Sequence, residues 1–224
     1  EKLFMINLQF NCVSIIESLP LSLQTLILNF NDIKEIPNQI DTPDLISVSL
    51  TNNKLLHLPK FICNQIFDYS FFRNKLIDID LSCLCENIST LDLSNNQIEK
   101  VPSQLFTFTK LYYLDLSNNK IQYLSERIIT SSLITLNISR NPIKKLPDGF
   151  PAPIECLYAS FCGLTQFPES WSDACELIDL NLSGNKLTEL PMIMSLLYLN
   201  ISHNNFSVFP YLPPSIQKVY LSFN

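Results

Sequence analysis

Two aspartates, Asp92 and Asp115, stand in the same hexapeptide, Leu-Asp-Leu-Ser-Asn-Asn, in consecutive segments of the chain. If those segments lie side by side as neighbouring strands, the carboxylates come within about 5 Å of each other. Such a pair would suit acid–base work or a divalent cation. Two exposed carboxylates are also easily screened by solvent, so the pair alone assigns no site. The two histidines are His57, inside Leu-His-Leu, and His203. No Ser/His/Asp or Cys/His set can be assembled around them at plausible proximity. The cysteines are Cys12, Cys63, Cys83, Cys85, Cys156, Cys162 and Cys175, an odd and scattered set of seven. Cys83-x-Cys85 is too close for an easy mutual bridge and lacks a second ligand pair, so a zinc site is not expected. Three glycines in the whole chain exclude a Gly-rich phosphate loop. The expectation is a segment that is not an enzyme, with no catalytic residue, cofactor or metal.

The elements that would position these residues recur. Ile88, Leu91, Leu93, Asn96 and Ile98 align without a gap on Leu111, Leu114, Leu116, Asn119 and Ile121. The same frame ends its turn on Asn11, Asn31, Asn53 and Asn74 before them, and on Asn141, Cys162, Asn185, Asn204 and Asn224 after. That makes eleven coils, with successive frame positions 19 to 23 residues apart. The pattern L-x-x-L-x-L-x-x-N-x-L resembles the leucine-rich repeat family, over the whole chain. Leu-Asp-Leu-Ser-Asn-Asn is the commonest form of that repeat, which further weakens the case for an acid pair.

The resemblance implies an α/β fold: a right-handed curved solenoid with a parallel β-sheet on the concave face. Short 3₁₀, extended or helical segments would line the convex face. Alternation at Leu91-x-Leu93 is a strand period, pointing those two inward and Asp92 outward. So short a strand cannot bury a core alone, whereas stacked coils can. The frame asparagine can satisfy buried backbone groups of its own and adjacent coils. Cys162 replaces it once, as a small tolerated substitute, and no reactive thiol is read there.

Seven coils carry proline six residues after the frame position, from Pro37 to Pro210. Proline fixes φ and cannot donate to a ladder, which suits the bend toward the outer wall. Three residues on, Ile40, Ile62, Leu105, Phe150, Trp171 and Met194 should plug the core. The short coils ending at Asn31, Asn204 and Asn224 should cross the back in extended form. Ser103–Lys110 and Ser125–Ser132 are the best candidates for a 3₁₀ or α turn.

The unbroken period predicts a single domain over 1–224, of about eleven repeats and incomplete at both ends. Polar end caps are not recognisable, so the chain reads as a piece of a longer protein or one with trimmed termini. No run of 18 apolar residues is present, so no membrane span is expected. A net charge of −6 and a pI near 4.9 argue against nucleic acid and are compatible with a basic, Arg- or Lys-bearing protein or peptide. Scattered cysteines without cap clusters suggest reduced thiols and a cytoplasmic location. Three of five N-x-S/T sequons, at Asn137, Asn181 and Asn200, are by-products of the strand pattern.

The family usually binds its partners on the concave face. Serines and asparagines there are its default. Departures from default are Phe72, Arg73, Tyr113, Arg140, Tyr158, Phe161, Tyr198 and Tyr220, accompanied by Asp92, Asp115, Asp179 and the inner-face His203. Exposed aromatics and arginine are the usual anchors of protein interfaces. The Leu-Pro after each turn is similar to intracellular repeats of signalling scaffolds and Ras-binding proteins. In that group the module is often joined to a kinase, a Ras-like GTPase or a metal-dependent Ser/Thr phosphatase. The short coils are also similar to those of bacterial effectors. The expected role is a non-catalytic recognition scaffold in signal transduction. The alternatives are a targeting domain of a larger enzyme or an extracellular receptor ectodomain.

Overall fold

Three consecutive extended residues per coil leave a strand with little to bury and six polar backbone groups to satisfy. Stacking solves both problems. The structure, a computed structural model, describes residues 2–37, 40–63, 65–173 and 176–224. The inner strands are β1 (Met5–Asn7), β2 (Thr25–Ile27), β4 (Ser47–Ser49), β6 (Asp68–Ser70), β7 (Thr90–Asp92) and β8 (Tyr113–Asp115). They continue through β9 (Thr135–Asn137), β10 (Cys156–Tyr158), β11 (Asp179–Asn181), β12 (Tyr198–Asn200) and β13 (Lys218–Tyr220). These eleven form one parallel sheet in chain order. At ~4.8 Å per strand it is about 50 Å long.

Register is held in phase along the stack. Leu91 pairs with Leu114, Leu114 with Leu136 and Leu136 with Leu157, all pointing inward. Frame residues before and after each strand complete one continuous core, with Leu111, Leu114, Leu116 and Ile121 all buried. The frame asparagines form the expected ladder. Asn119 accepts from Ile98 N–H at 3.0 Å and donates to Leu93 O and Leu116 O, both at 3.0 Å. One side chain thus satisfies buried groups of its own coil and of the coil before it.

The outer wall is irregular. Among the described residues four 3₁₀ segments lie at Leu81–Cys83, Ser103–Thr107, Glu126–Thr130 and Glu169–Asp173. Two of them fall where the longer coils were expected to turn. Ser125 caps its segment by accepting from Arg127 N–H at 3.2 Å. The short coils ending at Asn31, Asn204 and Asn224 cross the back with no helix. Sequence gave no sign of the two-stranded parallel sheet between β3 (Ile40–Asp41) and β5 (Phe61–Ile62) on this wall.

Among the expected core plugs, Ile40, Leu105 and Trp171 are buried, and Phe150 packs against the core. The Trp171 indole also donates to Pro147 O at 3.1 Å, as a buried tryptophan requires. Ile62 and Met194 are misplaced, at 48% and 57% exposed. The residues before them, Phe61 and Ile193, fill the core instead. On β5 alternation turns one side chain in and the next out, so an offset of one residue reverses the face.

Candidate functional site

The expected inner-face columns exist. The third strand residues, including Asp92, Asp115, Asn137, Tyr158 and Asn181, are in register across adjacent strands. The first strand residues put Tyr113 beside Thr135, and Asp179 beside Cys156 and Tyr198.

Asp92 and Asp115 have a local job. Asp92 Oδ1 accepts from Ser94 N–H at 2.9 Å, and Asp115 Oδ1 accepts from Ser117 N–H at 2.8 Å. Asn137, Asn181 and Asn200 do the same for the residue two further on. These are Asx turns that end the strand. Asp115 Oδ2 also accepts from the Asn137 amide at 3.0 Å. Burial raises the Asp92 pKa, against the hydrogen bonds from Ser94. Among the described residues no group of three or more His, Cys, Asp or Glu could hold a metal.

After each strand the chain bends through a left-handed residue, one position before the ladder. Asn95 and Asn118 occupy it in the regular coils, with φ of 56° and 53°. Asparagine tolerates that conformation, whereas bulky residues are strained in it by about 1–2 kcal/mol. Yet Phe10, Phe30, Arg73, Arg140, Phe161, His203 and Phe223 stand there, with φ from 54° to 61°. Phe10 stacks on Phe30 and His203 on Phe223, both at 4.5 Å between centroids. The Arg140 guanidinium lies 4.8 Å from the centre of the Phe161 ring. Gly184 holds the same position in the next coil with φ of 68°. A Cβ there would collide with the Phe161 ring, so the glycine leaves room for it.

Cys162 changes the coil before it. Its thiol donates to Ile138 O at 3.3 Å, keeping the donor half of the asparagine's work. Burial pushes that thiol up to about 11, so it stays neutral. Sulfur supplies no carbonyl oxygen for the preceding coil. In every neighbouring coil the N–H two residues past the ladder goes to the next frame asparagine, as Ile98 and Ile121 show. Ile143 N–H turns instead to Asn141 O at 2.9 Å, around Pro142. Lys144 then takes φ of 60°, a second left-handed bend in this coil, as Gly163 is in the next with φ of 78°. A shallow groove opens here, about 720 Å³ and lined by Arg140, Lys144, Phe161 and Lys186. Three cations thus meet on a chain of net charge −6.

Several expected site residues are brought together. Tyr113 and Asp115 lie on β8, Arg140 just past β9, and Tyr158 and Phe161 on and just past β10. The Tyr158 hydroxyl donates to Asp179 Oδ2 at 2.9 Å. Burial first, and then that bond, raise the tyrosine's pKa. Burial raises Tyr113 too, with Asp115 and Asp92 adding to it. Tyr198 faces Lys218 at 5.8 Å. Tyr220 is exposed on β13. Phe72 and Arg73 touch each other at 5.8 Å but sit past β6, four strands or ~19 Å from β10. Lys144 and Lys186 were missed, because each reads as an ordinary surface lysine until the ladder break is seen.

Two family profiles match this chain: a leucine rich repeat over residues 86–143, and a further single repeat over 195–219. With the frame, the ladder and the eleven-stranded sheet, these decide the family. The chain is a leucine-rich repeat protein. It is 25% identical to bovine osteomodulin over 93% of the chain and 53% of that protein. It is 36% identical to mouse leucine-rich repeat serine/threonine-protein kinase 1 over 59% of the chain but 7% of the kinase. The chain therefore spans about half of the one relative and a small part of the other. In solved structures it shares its fold with Drosophila Toll in the Toll–Spatzle complex, with TM-score 0.78 and 24% identity. That overlap covers 91% of this chain and 32% of the other.

Proposed function

We propose that this leucine-rich repeat segment is a non-catalytic recognition module that seats a protein partner on its inner face over β8 to β10. One observation carries the reading. Four of the residues that depart from the repeat, Tyr113, Arg140, Tyr158 and Phe161, gather where the ladder is interrupted, beside a groove of three cations. Tyr113, Arg140, Tyr158 and Phe161 are the anchors, with Asp115 among them. Asp179, Tyr198, His203 and Tyr220 extend the surface toward β13, and Asp92, Phe72 and Arg73 toward β6. Aromatic and arginine anchors typically carry most of an interface's energy.

The partner presents an acidic side chain to Arg140, Lys144 and Lys186. A basic patch elsewhere on it suits the overall charge of −6. Toll's complex with Spatzle supports a protein as the class of ligand. Nucleic acid is disfavoured by that same charge. The module is taken as cytosolic, one domain of a larger signalling protein, because its cysteines lack cap clusters. A targeting role within an enzyme is the second reading, favoured by the mouse kinase relative. The full reading frame of the parent gene separates the two. An ectodomain is favoured by the 2.6 Å approach of the Cys63 and Cys85 sulfurs.

The partner can be captured from lysate on the purified chain, identified by mass spectrometry and titrated by calorimetry. Lys144→Glu with Arg140→Glu should weaken it at least tenfold. Unchanged affinity removes the groove from the site.

A further inference from the structure

We propose that Cys63 and Cys85 are a thiol–disulfide pair that closes a covalent tie across the outer wall, from the third coil to the fourth. The proposal stands on geometry and is independent of the binding face.

The two sulfurs lie 2.6 Å apart, although 22 residues separate them in sequence. Unbonded thiols do not ordinarily stand so close. A shift of about half an ångström brings them to a disulfide's ~2.05 Å. Both side chains are half-buried. Cys63 Sγ points at Phe61 O and Cys85 Sγ at Cys63 O, each at 3.6 Å. The inward residue of β6 is tyrosine where most coils have leucine. Tyr69 reaches through the core, and its hydroxyl lies 3.4 Å from Cys83 O and 3.9 Å from Cys85 Sγ. It thus braces the segment that carries Cys85.

The position in the wall matters. β3 and β5 tie the second coil to the third by backbone pairing. Cys63 directly follows β5. The fourth coil has a 3₁₀ turn, Leu81–Cys83, where a third outer strand would be. Among the described residues outer strand pairing therefore stops at β5, and the cysteine pair bridges the next step.

The two thiols are unequal. A hydrogen bond from Cys63 draws Cys85 down to about 6, against burial, while Cys63 is held far above the usual thiol range. Cys85 is the thiolate and Cys63 the proton donor. The oxidant is a small-molecule or protein disulfide. The Cys85 thiolate attacks it, its S–S bond breaks and one thiolate leaves. Cys63 then loses its proton, and its sulfur attacks Cys85 Sγ and expels the second thiolate. The leaving thiolates take up the Cys63 proton and one from solvent. Two electrons pass from the protein thiols to the oxidant.

The test equilibrates the full chain in glutathione buffers of stepped redox potential, followed by acid quench, alkylation and peptide mapping. The expected product is a Cys63–Cys85 cross-link in the wild type and in Cys83→Ser, with Cys12 and Cys156 alkylated. Cys63→Ser should instead accumulate glutathione on Cys85. The oxidised wild type should melt several degrees above the reduced form, a difference that Cys63→Ser abolishes. Full alkylation of Cys63 and Cys85 in the most oxidising buffer overturns the pair. So does stable glutathione on wild-type Cys85. Equal melting of the cross-linked and reduced forms overturns the tie between coils.

Discussion

The fifth and sixth coils and the seventh and eighth are built on one frame but behave differently. In the former, two copies of Leu-Asp-Leu-Ser-Asn-Asn meet in register, every frame N–H finds an asparagine, and the left-handed bend is taken by Asn95 and Asn118. Their aspartates serve as strand-end acceptors. Of the four proposed anchors, Tyr113 alone lies there. In the latter, Cys162 removes one acceptor, the backbone before it folds through an extra bend, and Arg140 and Phe161 take the strained position. Local strain and a missing ladder bond coincide with an open groove and exposed anchors. The difference teaches that in a repeat protein the regular coils explain stability, and the irregular ones show where to look for function.

The comparison can be broken from either side. Leu116 is fully buried in the regular region. Leu116→Ala should cost about 2–5 kcal/mol in a urea melt. A loss under 1 kcal/mol, as from an exposed site, would mean that the inward phase of the strand is misread. At the irregular site, Gly184→Ala forces a Cβ into the Phe161 ring at positive φ. It should cost about 1–3 kcal/mol and move the ring off its stack with Arg140. An unchanged melt and an unchanged ring environment by NMR would remove Gly184's role. Cys162→Asn restores the acceptor for Ile143 N–H and should stabilise by about 1 kcal/mol. It should also abolish the left-handed Lys144, visible in its backbone chemical shifts. Destabilisation instead would show that the break is imposed by packing and not by the missing oxygen. Ser117→Ala, on the outward side of the regular region, should cost under about 0.5 kcal/mol.

Much of this was legible in sequence. The Leu and Asn frame gives the strands, their inward faces and the ladder, because each depends on a residue and its own period. Trp171 in the core and the 3₁₀ turns near Ser103 and Ser125 follow from coil length and the bend at proline. What escaped depends on the neighbouring coil. Ile62 and Met194 were assigned inward on an offset from proline, but the outer wall has no fixed length, so the phase slipped by one. The Asx role of Asp92 and Asp115 is a bond to a backbone N–H two residues on, hidden behind a suggestive pairing of like residues. The stacks of Phe10 on Phe30 and of Arg140 on Phe161 need the rise between coils to be seen. The Cys63–Cys85 approach crosses that same variable wall. Lys144 acquired a role only through the absence of an oxygen in the next coil. Tyr113, Arg140, Tyr158 and Phe161 were singled out because they break the family default, and that signal lies in the sequence.

The central claim is that recognition sits at the interrupted coils and on the inner face. Its most direct measurement is the calorimetric affinity of the captured partner for two double variants. Tyr113→Ala with Tyr158→Ala removes two anchors whose side chains point away from the core. Lys100→Ala with Glu126→Ala changes two exposed residues of the outer wall. The account predicts a loss of about 2 kcal/mol or more for the tyrosine pair, at an unchanged melting temperature, and no loss for the outer pair. Full affinity in the tyrosine variant together with abolished binding in the outer variant would contradict it.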